Sequence, residues 1–255
     1  MINLTIDGIN VSVPEGSTIL QAAREVGIYL PTLCWHPDQA VKANCRVCVC
    51  KVEGNRLLQA GCSTPVTEGM VVKTKTPQVI EARRTILELI LSNHPQDCLN
   101  CIRNQNCELQ DLANEYMIRD NPFELKVRGY DLDRSTPSIV RDQDKCILCR
   151  RCIDACSVTQ SVFALGVEGR GVDSMVVPTM GLPLMESPCV LCGQCIHACP
   201  VGAIYENEQI DEFLAAVADP DKIVVTQIAP AIRLAIGEEV GMNTGELPME
   251  VFVTG

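Results

Sequence analysis

Sixteen cysteines and one histidine, grouped at metal-ligand spacings, dominate the chemistry open to this chain. In order they are Cys34, Cys45, Cys48, Cys50 and Cys62, then His94, Cys98, Cys101 and Cys107. Two further runs follow, Cys146, Cys149, Cys152, Cys156 and Cys189, Cys192, Cys195, Cys199. A C-x2-C step recurs in every group, and it lets one tight loop deliver two thiolates to one site. Four centres need sixteen ligands, and fifteen of the cysteines plus His94 supply that number. Such a chain is suited to carrying electrons. Two other uses of cysteine compete. A disulfide framework is disfavoured by the clustered spacing and by an N-terminus, Met1 to Asp7, without a basic and apolar leader. Zinc, which also accepts four cysteines or one histidine with three, stays open at the first two groups.

The elements that must position these groups are read from periodicity. Ile2, Leu4 and Ile6 alternate with polar residues, Asp7-Gly8 makes a hairpin turn, and Val11 and Val13 resume the alternation. Ser17 or Thr18 caps a helix that runs to about Val26 and is closed by Gly27. Cys34 lies in a loop, Cys45 and Cys48 at the start of a strand over Arg46 to Glu53, and a last strand near Met70 to Val72 follows Cys62. Pro77 opens a helix with Val79, Ile86, Leu87, Ile90 and Leu91 on one face, which leads into His94. Residues 210 to 219 predict a short amphipathic helix, and Lys222 to Gln227 an apolar strand. Gly166, Gly169 and Gly171 have the order G-x-x-G-x-G with no helix after them, so they read as a turn and not as a nucleotide loop.

Cys50 is the cysteine left over. On a strand it would share a face with Cys48 and could substitute as a ligand, but a packed thiol is the preferred reading. His36 beside Cys34 is read as a shielding or hydrogen-bonding group, and His197 as facing solvent or tuning the local dielectric.

The spacing Cys34-x10-Cys45-x2-Cys48-x13-Cys62, with L-P-T-L-C-W-H-P and C-S-T-P-V-T-E-G-M around it, resembles the N-terminal [2Fe–2S] domain of two families. These are the large iron–sulfur subunit of respiratory complex I and the multi-cluster [FeFe]-hydrogenases. The run H-P-Q-D-C-L-N-C-I-R-N-Q-N-C-E-L-Q resembles their [4Fe–4S] domain, in which one histidine joins three cysteines, here His94, Cys98, Cys101 and Cys107. A neutral imidazole lowers the negative charge at such a centre, so a potential above that of an all-cysteine equivalent is expected. The last two runs have the bacterial two-cluster ferredoxin pattern, in which the fourth cysteine serves the other cluster. The pattern implies one set of Cys146, Cys149, Cys152 and Cys199, and another of Cys189, Cys192, Cys195 and Cys156. Ser157 stands where proline is usual after the first run. Gln227 to Glu239, Q-I-A-P-A-I-R-L-A-I-G-E-E, resembles the opening of the hydrogenase catalytic domain, whose H-cluster cysteines have no counterpart after Cys199.

The resemblance implies an α+β, multidomain iron–sulfur protein with one [2Fe–2S] and three [4Fe–4S] clusters. Its expected parts are a β-grasp [2Fe–2S] domain over 1–78, a helical [4Fe–4S] domain over 79–119, a 2[4Fe–4S] ferredoxin domain over 138–209, and a linker with a truncated hydrogenase-like start over 210–255. The nearest type is the A-type iron–sulfur subunit of electron-bifurcating [FeFe]-hydrogenases and of Stn-type NAD(P)H–ferredoxin transhydrogenases. That type implies a flavin-containing NADH-binding subunit, a further NADPH- or hydrogen-reacting subunit and ferredoxin as partners. The electron-input half of an NAD(P)-linked hydrogenase and the relay subunit of an NAD-linked formate dehydrogenase are the alternatives, with a zinc-stabilised scaffold as the third.

Bulk properties narrow the field further. A formal charge of −11 is unsuited to nucleic acid, which needs a basic face. No stretch approaches the roughly 20 apolar residues that span a bilayer, and Arg83-Arg84 lie too far in to be a twin-arginine signal; a cytoplasmic location is expected. Only 4% of residues are aromatic, so large Phe- and Trp-based cores are excluded and cross-linking by metal is expected to contribute to stability. No P-loop, dinucleotide fingerprint or Ser/His/Asp arrangement is present, so the chain is expected to have no catalytic site of its own. Lys145, Arg150 and Arg151, beside the first ferredoxin run, suggest a basic dock for an acidic ferredoxin.

Overall fold

Alternation in the first thirteen residues produces two strands, β1 (Ile2–Ile6) and β2 (Ile9–Val13), paired antiparallel with Ile2 opposite Val13. The structure is a computed structural model that describes residues 1–225, 227, 229–239 and 241–243. Asp7 and Gly8 both take positive φ at the turn, 49° and 86°, the geometry that matches a hairpin's twist. Helix α1 (Ile19–Glu25) starts at Thr18, whose hydroxyl accepts from the Gln21 amide while the Gln21 side chain accepts from the Thr18 amide. Strands β3 (Val49–Val52), β4 (Gln59–Ala60) and β5 (Val71–Lys73) complete a five-stranded mixed sheet in the order β2-β1-β5-β3-β4, with β1 and β5 parallel. Leu4, Ile6, Val11, Val13, Ile19 and Val72 form its core.

The strand expected over Arg46 to Glu53 begins later, at Val49. Arg46 sits at φ 61° and the Val49 amide bonds back to the Arg46 carbonyl, so Cys45 to Cys48 turn as a loop instead of extending. Cys50 does not share a face with Cys48 in the packing. Its side chain belongs to the sheet core with Ile6 and Val52, whereas Cys48 and Cys62 pack with Leu20, Leu30 and Trp35.

Thr76 caps α2 (Pro77–Leu91) through its hydroxyl to the Val79 amide, with Pro77 in the first turn. A short turn over Cys98–Asn100 leads to α3 (Glu108–Glu115). Strand β6 (Ile139–Arg141), helix α4 (Arg151–Asp154) and a π turn over Ala155–Thr159 carry the first ferredoxin run. The hairpin β7 (Leu165–Glu168) and β8 (Met175–Pro178) places the glycines 169 and 171 in its connection, the turn expected for them, whereas Gly166 lies inside β7 opposite Val177. Helix α5 (Gln194–Ala198) and strand β9 (Ile204–Glu206), antiparallel to β6, end this part.

Chain contacts divide the protein into two units, Met1–Asn207 and Glu208–Gly255. Within the first, one core cluster draws on every cysteine group: Leu33 and Val47, Leu87 of α2, Leu109 and Leu112 of α3, and Ile139, Ile196 and Ile204. In the second unit α6 (Ile210–Ala218) leaves Ile210, Phe213, Leu214 and Val217 exposed, and α7 (Pro230–Glu239) covers most of the hydrogenase-like string. The apolar strand expected from Lys222 is not formed over residues 222–225; Lys222 instead turns back to pair with Asp219 at 3.0 Å. Residues 226, 228, 240 and 244–255 lie outside the described part. No helix among the described residues is long and apolar enough to cross a membrane.

Arg83 joins α2 to the sheet and to α3. Buried at 3% exposure, its guanidinium donates twice to the Val49 carbonyl, at 2.7 and 3.1 Å, and once to the Tyr116 hydroxyl at 3.2 Å. Arg83→Met strands that carbonyl away from water and is expected to cost about 2–3 kcal/mol, the range for a charged hydrogen-bond donor. A denaturation midpoint of the cluster-loaded protein close to wild type would contradict this.

Candidate metal centres

The two ferredoxin runs share one backbone device. Leu148 and Arg150 take positive φ in the first run, 55° and 63°, and Leu191 and Gly193 do so at the matching places in the second, 57° and 75°. This alternation bends the chain so that amides point inward, an arrangement that favours anions. The amides of Leu148 and Arg151 face the Cys146 and Cys149 sulfurs, Leu191 donates to Cys189 Sγ at 3.4 Å, and Ala164 donates to Cys156 Sγ at 3.2 Å. After each bend a helix, α4 or α5, carries the third cysteine, Cys152 or Cys195.

The fourth cysteine of each run lies with the other run. Cys146, Cys149, Cys152 and Cys199 line one hollow, with Val176 and Ile204 behind them. Cys156, Cys189, Cys192 and Cys195 line a second. Burial pushes the Cys146 thiol up to about 11, and Cys149 and Cys195 up to about 12, and it holds Cys152 well above the usual thiol range as well. Thiols in such surroundings give up their protons to a metal and not to water.

His94, Cys98, Cys101 and Cys107 line a third hollow, whose opposite wall is Lys145 and Gly202. His94 is buried, and its Nδ1 has no hydrogen-bond partner. Burial, and then the nearby Lys145 charge, pull the imidazole down to about 4, so the ring is neutral at pH 7. A neutral, unpartnered ring nitrogen among three cysteines is the state a metal ligand requires. Gly202 matters by its lack of a side chain: a Cβ there would stand 2.8 Å from Cys101 Sγ.

In the first group Cys34, Cys48 and Cys62 are buried and Cys45 is partly so. The thiols interlock. Hydrogen bonds from Cys45 and Cys62 hold Cys34 well below the usual thiol range, and Cys62 holds Cys48 at about 7. Cys45 and Cys62 are raised correspondingly. Cys50 stands apart from this exchange: burial pushes it up to about 12, and its Sγ reaches the Gln59 carbonyl at 3.5 Å. His36 accepts the Asp38 amide at 3.3 Å, and His197 is exposed.

All sixteen cysteines are free thiols. No three His, Cys, Asp or Glu side chains among the described residues converge tightly enough to hold a single metal ion. The donors instead surround hollows, and their chemistry of thiols, neutral imidazole and inward amides fits sulfur-bridged iron clusters.

The sequence does not reveal the ties among the groups. The loop after Cys34 is fastened to the first ferredoxin run by Gln39 to the Arg151 carbonyl, Asn44 to the Leu148 carbonyl, and a 2.7 Å ion pair from Lys42 to Asp154. Arg103 donates to the carbonyls of Ile196 and Cys199. These partners lie roughly 90 to 110 positions apart, beyond any local signal. The basic dock expected at Lys145, Arg150 and Arg151 is not formed. Lys145 pairs with Asp142 at 2.9 Å, and buried Arg151 makes a two-pronged pair with Glu108, which leaves Arg150 alone exposed.

Three family models match the chain in series. Residues 1–77 match the 2Fe-2S iron-sulfur cluster binding domain, 83–122 the NADH-ubiquinone oxidoreductase-G iron-sulfur binding region, and 145–203 the 4Fe-4S dicluster domain. The NADP-reducing hydrogenase subunit HndD of Solidesulfovibrio fructosivorans is 47% identical over 250 residues, which is 96% of this chain and 43% of that one. The NADH-ubiquinone oxidoreductase 75 kDa subunit of Reclinomonas americana is 38% identical over 176 residues, 69% of this chain and 26% of that one. The chain thus spans less than half the length of these curated relatives. A chain in the crystal structure of an NAD+-reducing [NiFe]-hydrogenase in the H2-reduced state superposes with a TM-score of 0.77 at 31% identity, covering 82% of this chain and 88% of that one. This protein belongs to the iron–sulfur family that contains the 75 kDa chain of NADH-ubiquinone oxidoreductase and the iron–sulfur chains of NAD(P)-linked hydrogenases.

Proposed function

We propose that this chain is an electron-transfer relay subunit, holding one [2Fe–2S] and three [4Fe–4S] clusters, in an NAD(P)-linked oxidoreductase of the hydrogenase or complex I kind. The observation that carries the reading is the sorting of fifteen cysteines and His94 into four separate sets, with Cys156 and Cys199 exchanged between the last two. On this reading Cys34, Cys45, Cys48 and Cys62 hold the [2Fe–2S] cluster within a β-grasp domain over 1–78. His94, Cys98, Cys101 and Cys107 hold a [4Fe–4S] cluster within 79–119. Cys146, Cys149, Cys152 and Cys199 hold the next, and Cys189, Cys192, Cys195 and Cys156 the last, within 138–209. Bound clusters supply one-electron carriers. The chain's own groups hold them, donate amide hydrogens to sulfur and limit water, which are the levers that set cluster potentials.

The finer reading places the relay in the cytoplasm, in an electron-bifurcating NADH/NADPH–ferredoxin transhydrogenase. A flavin-containing NADH-binding subunit docks near the [2Fe–2S] domain, and ferredoxin and an NADPH-reacting subunit complete the path. The electron-input half of an NAD(P)-linked hydrogenase is the second reading, favoured by the 47% identity to the hydrogenase relative, which extends over 96% of this chain. Anaerobic purification of the native assembly separates the two. Flavin and pyridine-nucleotide subunits without hydrogen uptake support the transhydrogenase, and hydrogen evolution supports the hydrogenase. An assembly without iron would overturn both.

Loaded protein is expected to hold about 14 iron atoms per chain. His94→Ala is expected to remove or alter a single [4Fe–4S] signal in electron paramagnetic resonance and spare the other three centres. Loss of the [2Fe–2S] signal instead would sink the assignment.

Trp35, the sole tryptophan, packs with Cys48 and Cys62 under the Arg24 guanidinium, 3.8 Å from the ring centroid. Its fluorescence should therefore be quenched when the first centre is loaded and recover on iron chelation. Emission indifferent to iron would place the [2Fe–2S] cluster elsewhere.

A further inference from the structure

The hollow of His94, Cys98, Cys101 and Cys107 is closed by residues that belong, in sequence, to the ferredoxin runs. Gly202 follows Cys199 by three positions, and Lys145 immediately precedes Cys146. At Gly202 three side chains crowd one point. A Cβ built there would meet Cys101 Sγ at 2.8 Å, Lys145 Cδ at 3.5 Å and Arg103 Cγ at 3.6 Å. The two cationic stems therefore run past the third centre side by side, but their charges go to different places. Arg103 gives its guanidinium to the carbonyls of buried Ile196 and Cys199, both at 3.2 Å. Lys145 keeps its ammonium at the hollow, 2.9 Å from Asp142, with both side chains largely buried at 19% and 12% exposure. Asp142 is held in place by its amide bond to the Ala203 carbonyl at 2.8 Å. Asp97, also in the lining, lies near Cys98, and Tyr205 lies near Lys145.

We infer that Lys145 and Asp142 form an opposed charge pair that sets the reduction potential of the His94 centre, with Lys145 raising it and Asp142 lowering it. The inference rests on the proposed ligand set for that centre. Its physical basis is direct. An electron added to a cluster is stabilised by a nearby buried cation and repelled by a nearby buried anion, and partial burial weakens solvent screening of both. Neither residue is one of the proposed ligands; Lys145 lines the hollow and Asp142 is paired to it at 2.9 Å, so both act through space and are tuning residues. Their position also explains a feature of the chain as a whole. A protein of net charge −11 that must accept electrons at a histidine-ligated centre has placed a cation from another segment at that centre.

The test is redox titration of the full-length, cluster-loaded chain, following each paramagnetic centre separately. Lys145→Met is expected to move the midpoint of the His94 centre to a more negative value. Asp142→Asn is expected to move the same midpoint to a more positive one. Lys145→Arg, which keeps the charge, should stay near wild type. The other three midpoints should hold in all variants. Unmoved midpoints, shifts of the same sign in both variants, or equal shifts at every centre would overturn the inference. If Lys145→Met loads poorly, Lys145→Gln serves in its place. A protein purely stabilised by the pair would lose loading in both, with the remaining midpoints unchanged, and that also counts against a tuning role. Failure of the ligand reading shows separately, since His94→Ala would then leave every [4Fe–4S] signal intact.

Discussion

Keeping anionic sulfur inside an acidic protein is the constraint on which the rest of this architecture depends. Clustered thiolates repel one another, and an interior of low polarity magnifies that repulsion. The structure answers with dipoles and a few inward cations in place of a basic surface. Left-handed residues at Leu148, Arg150, Leu191 and Gly193 turn amides toward the sulfurs. Lys145, Arg103 and Arg151 face inward with assigned partners. His94 contributes a donor with no charge at all.

The same constraint explains why the parts of residues 1–207 are not packed as separate beads. Each centre needs walls that its own short segment is too small to provide, so it borrows them. The His94 hollow takes Lys145 and Gly202 from the ferredoxin runs, and those runs exchange Cys156 and Cys199. A single apolar cluster from Leu33 to Ile204 backs all four groups. With so few aromatic residues, this pooling of small aliphatic contacts is how an interior of useful size is reached.

Much of this was legible in the sequence because its causes are local. The Asp7-Gly8 turn, the Thr18 cap, the Pro77 start and the glycines 169 and 171 are short-range steric and hydrogen-bond signals, and each lies where the sequence placed it. The grouping of the cysteines followed from spacing and resemblance. What could not be read is set by long-range geometry. The late start of β3 follows from the left-handed Arg46, which no rule of spacing demands. The basic character of Lys145 and Arg151 suggested a docking surface, but their acidic partners, Asp142 and Glu108, turn both inward. The apolar run after Lys222 had the composition of a strand, but residues 222–225 do not form one.

The loop from Cys34 to Cys45 carries two of the first group's cysteines, yet it is anchored by Gln39, Lys42 and Asn44 on a segment more than a hundred residues later. During synthesis, that segment emerges long after the N-terminal sheet can form. Those three anchoring contacts can therefore close only after residues 148 to 154 have been made. The order in which these contacts can close therefore differs from the order of the sequence.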